Sequence, residues 1–304
     1  MTNRANSDSP LAQVMRPAQM SPVSVTSKPH VCKAGNAARL TDRLAPAEIT
    51  LTRADLERTF RLKHGNLVRT GWAPRMQRAF YYFNPDDYYE ALVAKLIQPG
   101  MRWLDVGCGR MIFPSNPRLA RILACRCSFL VGVDPSDTLD ENRYVHRKMK
   151  QPIEDFNTEE SFDVVTLRMV AEHIAEPHKA MASLARSTRP GSRVVVYTVN
   201  KWAPVSTAAR LIPFRFHHRL KSLMWKVEKR DTFPVVYRMN TRRCLSEVFR
   251  VAGFQERYFA RLDDCRASGR FRRLRYIELC FRLLLRRCGL CYPESCLLAV
   301  YERR

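Results

Sequence analysis

The sequence predicts an α/β fold: a doubly wound, mostly parallel sheet with helices on both faces. Three observations predict it. Short apolar runs alternate with segments of helical period between residues 103 and 200. Several of these runs are apolar almost without interruption, as strands buried on both faces must be. The first run ends in a bend rich in glycine, Gly107-Cys108-Gly109. With 46% hydrophobic and 10% aromatic residues among 304, the chain can bury a large core, which excludes disorder throughout.

The elements follow in order. Residues 1–47 carry five prolines among Ser, Thr, Asn and Ala with no sustained apolar period, and read as a disordered leader. The remainder, 48–304, reads as one domain. Thr52 caps a helix through His64, and Asn84-Pro85-Asp86-Asp87 opens a second that stops before Pro99-Gly100. These N-terminal helices, within 52–97, precede a strand over 103–106. Asn116-Pro117 then starts a helix with a cap and a first-turn proline. Strands follow over 129–133, more weakly 144–148, 162–167 and 193–198, with a helix from Pro177 to Ser187 between the last two. The rhythm breaks over 201–240, an insertion carrying Phe214, Phe216, Trp225 and His217-His218 among basic residues. It reads as a lid over substrate or as an amphipathic cover for the sheet. A helix over 241–252 stops at Gly253, and strands 254–262 and 295–302 enclose a basic helical insertion, 264–294.

The most informative stretch is Leu104-Asp105-Val106-Gly107-Cys108-Gly109. Glycines let the backbone turn sharply and pass close to a ligand, and in open α/β sheets ligands bind beyond the carboxyl ends of the strands. The second strand ends in Val133-Asp134, and an acid there can accept hydrogen bonds from both hydroxyls of a ribose. A nicotinamide-binding loop wants G-x-G-x-x-G. Here Ile112, or Phe113 after one slip, stands where its last glycine belongs, which argues against pyrophosphate.

Downstream, Gln151-Pro152-Ile153-Glu154-Asp155-Phe156, Phe162-Asp163-Val164-Val165, Val170-Ala171-Glu172-His173-Ile174, Ser187-Thr188-Arg189-Pro190-Gly191-Ser192 and Ala252-Gly253-Phe254 follow in fixed order. Together with the glycine loop and Asp134 they resemble the class I, Rossmann-like methyltransferases that use S-adenosyl-L-methionine. The resemblance implies a seven-stranded sheet with an antiparallel last strand. It also implies that Asp105, Gly107 and Gly109 line the methionine end of the cofactor and that Asp134 holds the ribose. Ile153 and Glu154 would flank adenine, and Leu167 and Arg168 would lie beside the sulfonium. Where the family often carries a third glycine, Met111 stands here, and Met111, Ile112 and Phe113 are expected to pack over the cofactor or to roof the pocket. Glu172 and His173 are weak catalytic candidates, because members acting on very different acceptors share the pair. Tyr81, Tyr82, Phe83, Tyr88 and Tyr89 lie where N-terminal helices in this family often close the acceptor pocket, although most aromatics at such spacing are core.

Charge is the outlier. The net charge is +23, and +15 of it falls in residues 201–304, a field that attracts anionic partners and says nothing about fold. Around 270–288, Arg270, Arg272, Arg273, Arg275, Arg282, Arg286 and Arg287 surround apolar residues three or four apart, an amphipathic basic helix. Packing its apolar side on the sheet is the common outcome. Peripheral contact with an anionic membrane is the second reading. Nucleic acid comes third, because no recognised binding module accompanies the charge.

No stretch approaches the ~18 apolar residues of a membrane span, and the first 30 residues lack the apolar core of a secretory signal. The ten cysteines follow no disulfide framework and read as reduced thiols of a cytoplasmic protein. Cys288-x-x-Cys291 lacks the second pair that structural zinc usually wants, so no metal is expected. The function predicted is methyl transfer to a small-molecule acceptor, or one linked to lipid or polysaccharide. The alternatives are transfer to RNA or protein, and a nucleotide-binding module without catalysis.

Overall fold

The computed structural model describes residues 49–66, 70–204, 207, 234–266 and 271–304. The leader 1–47, and most of the insertion 201–240 with its aromatics and His217-His218, therefore lie outside the described residues.

Three helices come first. α1 (Arg53–His64) is capped by Thr52, whose hydroxyl accepts from the Asp55 amide while the Asp55 carboxylate accepts from the Thr52 amide, a reciprocal pair that satisfies two orphan donors. α2 (Trp72–Ala79) was not anticipated: its cap is Gly71, with no side-chain bond to announce it. α3 (Pro85–Leu96) starts at a proline already held at a helical φ, and Asp87 accepts from the Asn84 amide at 2.8 Å.

The sheet then begins. β1 (Arg102–Val106), α4 (Pro117–Arg126), β2 (Phe129–Val133), β3 (Arg147–Met149), β4 (Phe162–Arg168), α5 (Pro177–Arg186) and β5 (Thr188–Val199) follow. α6 (Arg242–Val251), β6 (Phe254–Asp263), α7 (Arg272–Arg287) and β7 (Glu294–Arg303) complete the described chain. The seven strands lie in the order β3-β2-β1-β4-β5-β7-β6. Pairs among β1 to β5 are parallel, and β7 runs antiparallel to both its neighbours. β3 starts three residues later than the apolar pattern suggested, at Arg147.

Alternation along the strands divides the core. Leu104, Val106, Val165, Leu167 and Val196 face one side, with α5 and α6. Trp103, Val164, Val195 and Tyr197 face the other, with α3 and α4. A side chain of this size contributes about 1.5–3 kcal/mol when fully buried.

The basic helix departs from expectation. Leu274, Ile277, Phe281 and Leu284 of α7 are 50–61% exposed, and only Leu279 and Arg282 of that helix are buried. Its apolar stripe faces outward, because its inner side is taken by Leu279, packed with Tyr82 and Cys265, and by an Arg282–Asp263 ion pair.

Candidate active site

β1 and β2 end side by side, with Val106 paired to Val133, and the Gly107 amide donates to the Val133 carbonyl at 2.7 Å. That bond brings the glycine bend against the residue before Asp134. Gly107 has φ +68°, and a Cβ built there would lie 2.1 Å from Val170 Cγ2. Both the backbone and the space require glycine. Gly109, at φ +43°, donates its amide to Asp134 Oδ2 at 2.8 Å. The other carboxylate oxygen, Oδ1, accepts from the Ser136 amide at 2.8 Å. Asn142 Nδ2 closes the loop from behind, donating to the Gly109 carbonyl at 2.9 Å. The structure thus brings Gly107, Gly109 and Asp134 together.

Asp105 lies one step back on β1, 2% exposed. Thr166 of β4 donates its hydroxyl to Asp105 Oδ1 at 2.6 Å, and Trp103 Nε1 donates to Thr166 Oγ1 at 2.7 Å. Burial pushes the Asp105 carboxyl up to about 7, against the opposing effects of the Thr166 bond and the Arg168 charge. Facing it from α3 is Tyr89, wholly buried, stacked on Tyr197 at 5.3 Å and edge-on to Phe113 at 5.9 Å. Its hydroxyl lies beside the Thr166 hydroxyl that also serves Asp105 and Trp103. A raised acid beside a bend without side chains suits a ligand bearing an ammonium group.

Arg168, at the end of β4, pairs with Asp86 Oδ1 of α3 at 3.0 Å. Arg266 pairs with Asp86 Oδ2 and, at 2.7 Å, with Asp264. Burial alone would raise the Asp86 carboxyl. The two guanidinium charges overrule it and hold the group at about 2. Beside it, Lys63 bonds Asp87 at 2.8 Å and Glu90 at 3.2 Å. The first two turns of α3 therefore carry three buried acids matched by three cations. Of these residues only Arg168 was expected at the site; its pairing with Asp86, the other two cations and Thr166 were not foreseen. A polar residue inside the apolar strand Val164-Val165-Thr166-Leu167 was the signal available.

Other expected site residues have different surroundings. Leu167 is wholly buried on the sheet face opposite Thr166, so its side chain belongs to the core. Ile153 is in the same cluster, and Glu154 accepts from the Ala175 amide at 3.2 Å. Ile112 and Phe113 do not roof a pocket; they pack with Trp103 and Tyr89 inside the α3/α4 core. Glu172, 4% exposed, accepts from the Thr198 hydroxyl at 2.7 Å, and its carbonyl accepts from the Val236 amide at 2.8 Å. Burial pushes its carboxyl up. His173 Nδ1 lies 2.8 Å from the Pro234 carbonyl, which can only accept, so that nitrogen carries the proton. The His173 ring and the Glu172 backbone carbonyl fasten the segment 234–240, while the Glu172 carboxylate is tied to β5. Cys288 and Cys291 are exposed free thiols.

A family model described as a methyltransferase domain matches residues 76–256, well over half of the chain. The chain belongs to that family. Among curated relatives, this methyltransferase is 32% identical over 173 residues to the ubiquinone biosynthesis O-methyltransferase of Xanthomonas campestris pv. campestris. The match spans 51% of this chain and 70% of the relative. To the protein of the same name from Hahella chejuensis it is 31% identical over 113 residues, 34% of this chain and 45% of that one. Among solved structures it is similar to magnesium protoporphyrin IX methyltransferase from Synechocystis PCC 6803 with bound SAH. There the identity is 14% and the TM-score 0.43, over 82% of this chain and 94% of that one.

Proposed function

We propose that the protein transfers a methyl group from S-adenosylmethionine to an oxygen of a small-molecule acceptor, free or linked to lipid. The observation that carries this reading is the joining of Gly107, Gly109 and Asp134 at the ends of β1 and β2. The relatives' names supply the oxygen acceptor.

When bound, S-adenosylmethionine supplies a methyl activated on a sulfonium, whose positive charge disappears on transfer. Asp134 accepts from the ribose hydroxyls, oriented by the two amides that already hold its carboxylate. Gly107 and Gly109 would admit the amino-acid tail, and Asp105 would meet its polar end. Arg168 stands near a sulfonium without repelling it, because Asp86 offsets its charge. Orientation and exclusion of water can contribute ~7–11 kcal/mol to such a displacement. A hydroxyl acceptor must also lose its proton; we assign that base to His173, whose Nδ1 proton is directed at the Pro234 carbonyl, which makes Nε2 the basic nitrogen of the ring. A lipid-linked acceptor fits peripheral contact with an anionic membrane through 270–288. Among the described residues no helix is long and apolar enough to cross one.

The test is incubation with donor labelled in the methyl group and cell extract fractionated into lipids, polysaccharide, RNA, protein and small molecules. Label in the small-molecule or lipid fraction, as an ether stable to mild base, is expected. Label confined to RNA or protein would overturn the acceptor class.

A further inference from the structure

α7 is fastened by one side and bare on the other. Inward, Leu279 packs with Tyr82 and Cys265, joined by Met76, Phe80 and Tyr292, and Phe80 meets Tyr276 edge-on at 5.5 Å. Outward, at 100° per residue, Leu274, Ile277, Phe281 and Leu284 fall within an arc of about 80°. Phe271 extends that stripe at the N-terminal end and is 55% exposed. Arg272, Arg273, Arg286 and Arg287 are exposed at the two ends of the helix. On neighbouring α2, Arg75 and Arg78 are exposed as well. The only acid in α7 is Glu278, which accepts from the Tyr292 hydroxyl at 2.8 Å. Between α2 and α7 runs an open groove of about 460 Å³, lined by Trp72, Arg272, Arg273, Tyr276 and Ile277.

The geometry points to a docking platform for an anionic phospholipid bilayer, built by α7 and α2, with the groove taking a phosphate-bearing headgroup between Arg272 and Arg273. This deepens the membrane contact named above by giving it a face, a groove and a lipid chemistry. It does not depend on which acceptor is methylated. Aliphatic side chains at the centre and guanidinium groups at the rim are what the acyl boundary and the headgroup layer require of a helix lying in the interface. Trp72 and Tyr276 supply rings with one apolar and one polar end at the boundary between them. A second copy of the chain is a poor occupant, because pairing this face would bring two sets of arginines together on molecules of net charge +23. An RNA backbone would use the arginines and leave Leu274, Ile277 and Leu284 in water.

Ion pairs also run from α7 to the end of β4. Arg282 pairs with Asp263, and the next residue, Asp264, pairs with Arg266, which pairs with Asp86, which pairs with Arg168.

Sedimentation with vesicles tests this directly, using phosphatidylcholine alone and phosphatidylcholine mixed with phosphatidylglycerol, at low and high salt. The full chain should bind the mixed vesicles at low salt, weakly at high salt, and the neutral vesicles hardly at all. Arg272→Gln with Arg273→Gln should weaken binding about 30-fold, as expected for two cations near a charged surface. Ile277→Glu with Phe281→Glu should weaken it at least as much. All four side chains are exposed, so circular dichroism and calorimetric binding of S-adenosylhomocysteine should be unchanged. That calorimetry separates the two proposals: vesicle binding without donor binding would sink the enzymatic reading alone. No vesicle binding, or binding indifferent to lipid charge and to both variants, would overturn the platform. So would a dimer that Ile277→Glu with Phe281→Glu converts to monomer, or an RNA oligonucleotide bound more tightly than the mixed vesicles.

Discussion

Asp105 shows how a single position joins stability to function. Its carboxyl is buried, bonded to Thr166, and pushed up to about 7. An ordinary Asp in the unfolded chain titrates near ~3.9. Because the folded value is the higher one, this group favours the folded state fully below ~3.9 and loses that contribution as pH rises through about 7. Asparagine copies the neutral form. Asp105→Asn should therefore gain stability relative to the wild type between about pH 5 and pH 8, by on the order of 2–3 kcal/mol, in denaturant melts at the two pH values. A gap that is flat with pH would mean that the acid is not held raised. A site tolerates such a cost where a cation is to arrive, and the ammonium of an amino-acid tail is one. The acid itself was legible, since Asp105 precedes the glycine bend. Its environment was not: Thr166 lies 61 residues away, and only the parallel pairing of β1 with β4 sets them together.

At the scale of elements, α3 does more than cover the sheet. Asn84-Pro85 announces where it begins, so its start could be read locally. Its buried acids could not be interpreted that way, because the ion pairs of Asp86 join residues 82 and 180 positions distant. Asp86→Asn leaves two partly buried guanidinium groups short of a charge, and should cost on the order of 2–3 kcal/mol at neutral pH. The pH sign is the reverse of that for Asp105. A carboxyl held at about 2 contributes stability above ~3.9 and loses it as pH falls through about 2. Chemical denaturation should therefore show the difference between wild type and variant closing toward pH 2. A persistent difference in acid would place the role of Asp86 in packing rather than charge. α2 escaped prediction for a simpler reason: it is eight residues long, with a glycine cap and no acid in its first turn.

For the whole molecule, what could be read was the alternation. Every run judged to be a strand became one, and the glycine bend and Asp134 met because doubly wound sheets gather the ends of β1 and β2 at one edge. What could not be read was which way α7 turns. Its apolar stripe predicts burial, and the periodicity is the same whether the stripe meets a sheet or the outside. Arg282 decided it, since a buried pair with Asp263 fixes the opposite side inward.

The most direct measurement is titration calorimetry of the full chain with S-adenosylhomocysteine and, separately, with NAD. Binding of the sulfur nucleoside at one site, weakened about 10²-fold in Asp134→Ala, and no heat with NAD, is the predicted result. Tight NAD binding, or homocysteine-nucleoside binding that Asp134→Ala leaves unchanged, would contradict it.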